Sequence, residues 1–224
     1  MARILILGGH GKVALLLEPL LVDRGDDVTA VVRNPDHVPD VEATGATARV
    51  ADVEQLDVVA LADLVRGHDA VVWSAGAGGG SPERTYAVDR DAAIRSMDAA
   101  VRAGVPRYVM VSWIGSSSDH GIDPDDAFFP YADAKLAADN HLRDTPLRWT
   151  VLAPGALTLD PPTGRITTSP KGDAAVPRAD VAAVIAQSLL EETTIGRTIR
   201  FGGGDTPIAR ALADERPRHP QPHA

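Results

Sequence analysis

The segment that most constrains this chain is its start. Ile4-Leu5-Ile6-Leu7 is an unbroken apolar run, the pattern of a strand buried on both faces. Gly8-Gly9-His10-Gly11-Lys12-Val13-Ala14 follows directly, and Val13, Leu16, Leu17 and Leu20 then recur at helical spacing up to a stop at Gly25. The glycine spacing is G-x-x-G-x-x-A. Gly8 permits a tight turn, Gly11 lets backbone approach a pyrophosphate, and the small Ala14 allows close helix–strand packing. Phosphates then rest on the free N–H groups at the positive helix end. Glycine-rich turns also occur without ligands, so the weight comes from the strand–loop–helix context. The prediction is a dinucleotide held by Gly8, Gly9, Gly11 and Val13. His10 and Lys12 either touch phosphate or are solvated loop side chains.

The rest of the chain repeats that alternation. Strands are expected at Val28–Val32, Ala46–Val50, Ala70–Trp73, Tyr108–Ser112, Trp149–Ala153 and Thr198–Phe201, with helices around 54–66, 83–103, 131–143 and 179–190. Hydrophobic strands separated by helices mean an α/β fold: a doubly wound parallel sheet with right-handed crossovers, the Rossmann arrangement. No repeat or compositional break divides it, so residues 1–212 are read as a single domain. The proline-bearing stretch 213–224 is read as a disordered tail. Two irregular stretches, 113–130 and 154–178, are too long for plain connectors and are expected to be substrate loops.

Composition narrows the function. The 224 residues carry 22 basic and 31 acidic side chains, a net charge of −9, which argues against partners such as nucleic acid or an anionic membrane. The absence of cysteine excludes disulfides, thiolate metal sites and a thiol nucleophile. The seven histidines form no His-x-x-x-His pair within the folded region, so no metal is expected. The N-terminus lacks a signal-peptide pattern and no apolar run approaches the roughly 20 residues of a membrane span. A soluble, cytoplasmic protein is the expectation.

Cofactor specificity should be written after the second strand, where an acid would hydrogen-bond a ribose 2′-hydroxyl and repel a 2′-phosphate. The chain has Arg33-Asn34 there, and the guanidinium fork suits a phosphate. NADP(H) is therefore favoured over NAD(H), although Asp36 stands near enough in sequence to pair with Arg33 instead. Asp52 and Val53, after the third strand, are placed to touch adenine. Ser74, Ala75 and Gly76, after the fourth, are small enough for backbone to lie against the cofactor. Tyr131 and Lys135 sit at i and i+4 on one helix face. An ammonium beside a phenol lowers the tyrosine pKa and suits it to proton transfer. Ser112 ends the fifth strand and could hydrogen-bond the same carbonyl oxygen.

These residues resemble the atypical short-chain dehydrogenase/reductases of the NAD(P)H-binding, NmrA-like branch. The likeness runs through residues 2–212 and includes the glycine loop, Tyr131-x-x-x-Lys135, Trp149 to Leu157, Arg178-Ala179-Asp180-Val181-Ala182 and Gly203 to Ile208. By that resemblance Lys135 also holds the nicotinamide ribose, Pro154, Gly155, Ala156 and Leu157 line the nicotinamide, and Ser112 and Tyr131 polarise and protonate a substrate carbonyl. The family's usual helix asparagine is replaced by Asp89. That acid is either part of the catalytic group or paired with Arg90 or Arg95 on a solvated face. Asp139-Asn140-His141, a turn beyond Lys135, reads as solvent-facing or capping. Trp113, Phe128 and Phe129 either line the pocket or pack beneath its loop.

Three activities fit. The first is an NADP(H)-dependent oxidoreductase acting on an unidentified small carbonyl, quinone or flavin-like molecule. The second is a non-catalytic dinucleotide sensor with a protein partner, motivated by Asp89. The third is a nucleotide-sugar epimerase or dehydratase, against which the chain length argues, because about 60 residues remain after the core and the last helices and strands need them.

Overall fold

The strands of the parallel core form where apolar and β-branched residues cluster. The computed structural model describes residues 1–79, 81–171 and 174–213. In chain order its first half comprises β1 (Arg3–Leu7), α1 (Ala14–Asp23), β2 (Asp27–Val32), α2 (Val38–Glu42), β3 (Thr47–Val50), α3 (Val58–Val65) and β4 (Ala70–Trp73). A composite helix follows: α4 (Pro82–Thr85), a π-helical segment (Tyr86–Ala92) and α5 (Ala93–Ala103). Next come β5 (Arg107–Val111), α6 (Phe129–Arg143), β6 (Arg148–Pro154) and β7 (Leu157–Thr158). The chain continues with β8 (Arg165–Thr167), β9 (Val176–Pro177), α7 (Arg178–Leu190), β10 (Arg197–Gly203), β11 (Thr206–Pro207) and α8 (Ile208–Ala213).

The main sheet has the order β11-β8-β10-β6-β5-β4-β1-β2-β3. From β10 to β3 every neighbouring pair is parallel. The order reverses between β1 and β4, and such a switch point opens a crevice at the carboxyl ends of the strands. Alternation across the pleat sends Ile4 and Ile6 into one core layer with α1 and α7, and Leu5 and Leu7 into the other with α3 and α5. All four are at most 1% exposed, and each contributes roughly 1.5–3 kcal/mol relative to an exposed side chain. The α/β, doubly wound architecture expected from the sequence is present.

Several local expectations are corrected. The buried stripe of α1 is Ala14, Leu17 and Leu21, while Leu16 and Leu20 are 41% and 42% exposed. The helix expected over 54–66 begins at Val58, because the Asp57 side chain caps it by accepting the N–H of Ala60 at 2.8 Å. The stretch 154–178 is not a free loop. It contains β8, which pairs antiparallel with both β10 and β11, and a parallel β7–β9 pair. Ile166 and Val176 anchor these pieces in the core. Ala213 closes α8, one residue into the expected tail, and residues 214–224 lie outside the described residues. No helix among the described residues is long and apolar enough to cross a membrane.

Candidate active site

The glycine loop turns at Gly8, whose φ of +92° is left-handed. A Cβ there would lie 2.6 Å from the backbone of Ala75, so the position requires glycine. Gly11 donates its N–H to the carbonyl of Gly8 at 3.0 Å, and Gly9 donates to Val31 at 2.8 Å. Among the described residues, the N–H groups of His10, Lys12 and Val13 meet no protein acceptor. They are free for an anion at the start of α1.

A cleft of about 240 Å³ opens along this loop at the switch point. Of the residues predicted to contact a cofactor it brings together Gly8, His10, Gly11, Arg33, Asp52, Val53, Ser74, Ala75 and Gly76, and it adds Asn34, His37, Glu54 and Arg84. Arg33 does not pair with Asp36. Its guanidinium lies 3.7 Å from Glu54, which Arg84 approaches at the same distance. Asp36 instead gives its N–H to the side chain of Asn34. His10 stacks on His37 with ring centroids 3.6 Å apart and shares a hydrogen bond with Asp40 at 2.8 Å.

Gly9, Lys12 and Val13 lie beside that cleft without lining it. Gly9 is wedged against Ala30, Lys12 is exposed and Val13 is buried in the core. Pro154 ends β6, Gly155 and Ala156 follow it and Leu157 opens β7; none of the four lines either hollow. Pro154 accepts the N–H of Ile114 at 2.8 Å, which ties this strand end to the loop after Ser112.

A second hollow of about 350 Å³ meets the cleft at Gly76. Its walls include Ala77, Pro82, Thr85, Asp89, Ala127, Phe128, Pro130 and Tyr131. Phe128 is therefore a wall residue, and Trp113 packs edge-on behind it at 5.0 Å. Phe129 turns away, edge-on to His120.

The π-helical segment buries Asp89 to 2% exposure. Its carboxylate accepts the N–H of Ala77 at 2.9 Å, and a Cβ on Gly76 would come within 3.1 Å of it. Pairing with a neighbouring arginine is overturned. Arg90 binds Asp91 at 2.6 Å, while Arg95 donates to the carbonyls of Leu56 and Glu54. A π turn is a frequent device at functional sites, and here it points the acid at the hollow rather than at solvent.

Of the four predicted catalytic residues, Asp89 and Tyr131 line this hollow, whereas Ser112 and Lys135 are buried and line neither hollow, and the electrostatics differ from the sequence expectation. Lys135 is 2% exposed and donates from Nζ to the carbonyl of Val111 at 2.7 Å. Burial lowers its pKa, opposed by the charges of Asp89 and Asp139. The Tyr131 pKa is not lowered. Burial raises it, and the negative charges of Asp89 and Asp139 raise it further. Asp89 is pushed up by burial against the pull of Lys135. Tyr131 and Asp89 therefore lean toward their protonated forms.

Asp139 is the functional candidate that sequence reasoning missed. It is fully buried, not solvent-facing. Its Oδ2 is 2.6 Å from the hydroxyls of both Ser112 and Ser116. The signal was available: Ala132, Lys135, Asp139 and Leu142 share one buried stripe of α6, at steps of three and four.

The comparisons agree with this geometry. A family model described as NAD(P)H-binding matches residues 8–192. An uncharacterized sugar epimerase, YhfK, of Bacillus subtilis is 33% identical over 213 residues, covering 94% of this chain and 98% of the relative. The solved structure of a provisionally named NAD-dependent epimerase/dehydratase of Bacillus halodurans has a TM-score of 0.87 at 33% identity, covering 95% and 99% of the two chains. The oxidoreductase ylbE of Lactococcus lactis has a TM-score of 0.86 at 31% identity, covering 99% and 100%. With its glycine turn, free amides and switch-point cleft all fitted to a nicotinamide dinucleotide, this chain belongs to the NAD(P)H-binding family.

Proposed function

We propose that the protein is an NADP(H)-dependent oxidoreductase that reduces a small, uncharged carbonyl, quinone or flavin-like molecule, and that it works in the cytoplasm. The observation that carries this reading is the meeting of the two hollows at Gly76, a residue without a side chain. A cofactor in the first hollow and a substrate in the second can touch there.

When bound, the nicotinamide supplies the hydride. The chain's own residues bind and orient. Free amides at His10, Lys12 and Val13 take the phosphates, and Asp52 and Val53 lie beside the adenine. Arg33 and Arg84 turn from Glu54 toward a 2′-phosphate. Their pairs with that half-buried acid, at 3.7 Å, are longer than a hydrogen bond and leave both guanidinium groups able to turn. Lys135 holds the ribose, Pro154 to Leu157 border the ring, Ser112 hydrogen-bonds the substrate oxygen, and Tyr131 delivers a proton to it. A phenol whose pKa is raised stays protonated and suits donation, which favours the reductive direction.

The second hollow limits the substrate. Its described walls are mainly apolar and include no arginine or lysine, so it offers nothing to hold the diphosphate of a sugar nucleotide. The epimerase names of the relatives therefore do not carry over. A sensor with a protein partner is the second reading, favoured by Lys135 resting on the Val111 carbonyl rather than beside the Tyr131 phenol.

The test is a binding titration with NADPH, NADP⁺, NADH and NAD⁺, followed by NADPH oxidation assays with menadione, riboflavin and small aldehydes. Tighter binding of the phosphorylated pair with turnover of any acceptor supports the reductase. Binding that distinguishes the two redox states without turnover supports the sensor. No binding of any dinucleotide sinks both.

A further inference from the structure

Asp139 is a buried acid that the mechanism above does not use. It lies on α6 one turn beyond Lys135, fully buried. One carboxyl oxygen, Oδ2, takes both available partners, Ser112 Oγ and Ser116 Oγ, each at 2.6 Å. The other, Oδ1, is buried with no hydrogen-bond partner among the described residues.

The asymmetry matters. An ionised carboxylate spreads its charge over both oxygens, and leaving one dry and unpartnered is costly. In a neutral carboxyl protonated at Oδ2, the bare oxygen is an ordinary carbonyl, the cheaper group to leave unpaired. The two states also set Ser112 differently. Beside a carboxylate, Ser112 must donate its proton inward and can offer only lone pairs to a bound molecule. Beside a neutral carboxyl, Oδ2–H donates to Ser112 Oγ and Ser116 donates to Oδ2. The Ser112 proton is then free to point at a substrate oxygen.

We propose that Asp139 is a positioning residue for Ser112: held as a neutral carboxyl, it donates to the serine hydroxyl and turns Ser112 into a hydrogen-bond donor toward the substrate. This rests on the oxidoreductase reading for its purpose, but the protonation state is a property of the chain alone. The facing charged and titratable groups are Lys135, Tyr131 and Arg143 on the same helix, Asp89 across from Lys135, and Arg200, which donates to the carbonyls of Ile114 and Ser116. Burial favours the neutral form and outweighs Lys135, the hydrogen bonds of Ser112 and Ser116, and Arg143, which favour the ionised one.

The test uses the full chain in two arms. In the first, infrared difference spectra compare cofactor-free wild type with Asp139→Asn and Asp89→Asn. A protonated-carboxyl C=O component at neutral pH that disappears in Asp139→Asn is the expected result. Its absence, or a component that follows only Asp89, overturns the proposal. In the second arm, NADPH–menadione rates are followed against pH. The wild-type rate falls as Asp139 ionises at rising pH. Asp139→Asn, an uncharged mimic able to donate from its amide, stays within about threefold of wild type and lacks that falling limb, whereas Asp139→Leu loses at least ~10-fold in kcat with NADPH binding unchanged. A limb that persists in Asp139→Asn overturns the proposal, since a purely structural role does not move a pH profile. Absence of menadione turnover in wild type counts against the oxidoreductase reading alone, and the infrared result then decides the state of Asp139 by itself.

Discussion

The carboxylate of Asp89 accepts the backbone N–H of Ala77 at 2.9 Å, so a single buried bond ties the π-helical segment to the loop after β4. Replacing Asp89 with alanine leaves that amide unpaired in a buried place, which costs about 1–3 kcal/mol. Asp89→Asn keeps an acceptor in reach and should lose less. Urea unfolding of the two variants measures the difference, and equal losses would show that the bond is not what holds the loop.

Tyr131 is the proton donor in the proposed reaction. Tyr131→Phe is expected to lower turnover with an active acceptor by ~10²-fold or more while leaving NADPH affinity unchanged. Steady-state rates and a binding titration separate these effects. Full activity in the variant would remove Tyr131 from the chemistry.

In the proposed reading Arg33 carries the cofactor preference. NADPH should bind at least tenfold tighter than NADH, about 1.4 kcal/mol, and Arg33→Ala should erase that gap while leaving NADH binding intact. Calorimetric titration of both dinucleotides reads it directly. A gap that survives the substitution would move the preference to Arg84, Asn34 or His37.

Gly8 adopts a left-handed φ of +92° with Ala75 backbone 2.6 Å from where a Cβ would stand. Gly8→Ala should therefore destabilise the fold by more than the roughly 1–3 kcal/mol of backbone strain alone and weaken dinucleotide binding. Thermal unfolding and a titration on the same sample test both, and an unperturbed variant would mean that the loop can relax.

Glu18 in α1 is fully buried, and burial pushes its pKa up to about 7, against a lowering hydrogen bond from Thr44. Its folded pKa lies above the unfolded value of 4.5, so the native chain keeps a proton that the unfolded chain releases. This contribution to stability is full at low pH and is lost as the pH rises from 4.5 toward 7. Glu18→Gln should flatten that part of the profile, which urea midpoints on either side of the window will reveal.

The parallel core of the sheet and the glycine loop were legible because a strand buried on both faces must be an unbroken apolar run, and Ile4 to Leu7 is one. The elements at the other end of the sheet were not. β8 and β11 have three and two residues, too short for any periodicity, and tertiary pairing alone makes them strands. Within the candidate site, spacing singled out Tyr131 and Lys135, but spacing cannot report a dielectric. The expected lowering of the Tyr131 pKa failed because burial raises it and the charges of Asp89 and Asp139 add to that, while Lys135 donates to the Val111 carbonyl. Asp139 was hidden because it opens the polar run Asp139-Asn140-His141, and only the stripe shared with Lys135 and Leu142 separates it from its neighbours.

β11 closes one margin of the sheet with Thr206 and Pro207. Proline has no amide hydrogen to offer an incoming strand, and a two-residue border is too short to template one. That margin is thereby protected against strand-by-strand growth from one molecule into the next. If copies of this chain associate, they must do so through helices or loops there, and a Pro207→Thr exchange would remove one of the guards against fibre-like association.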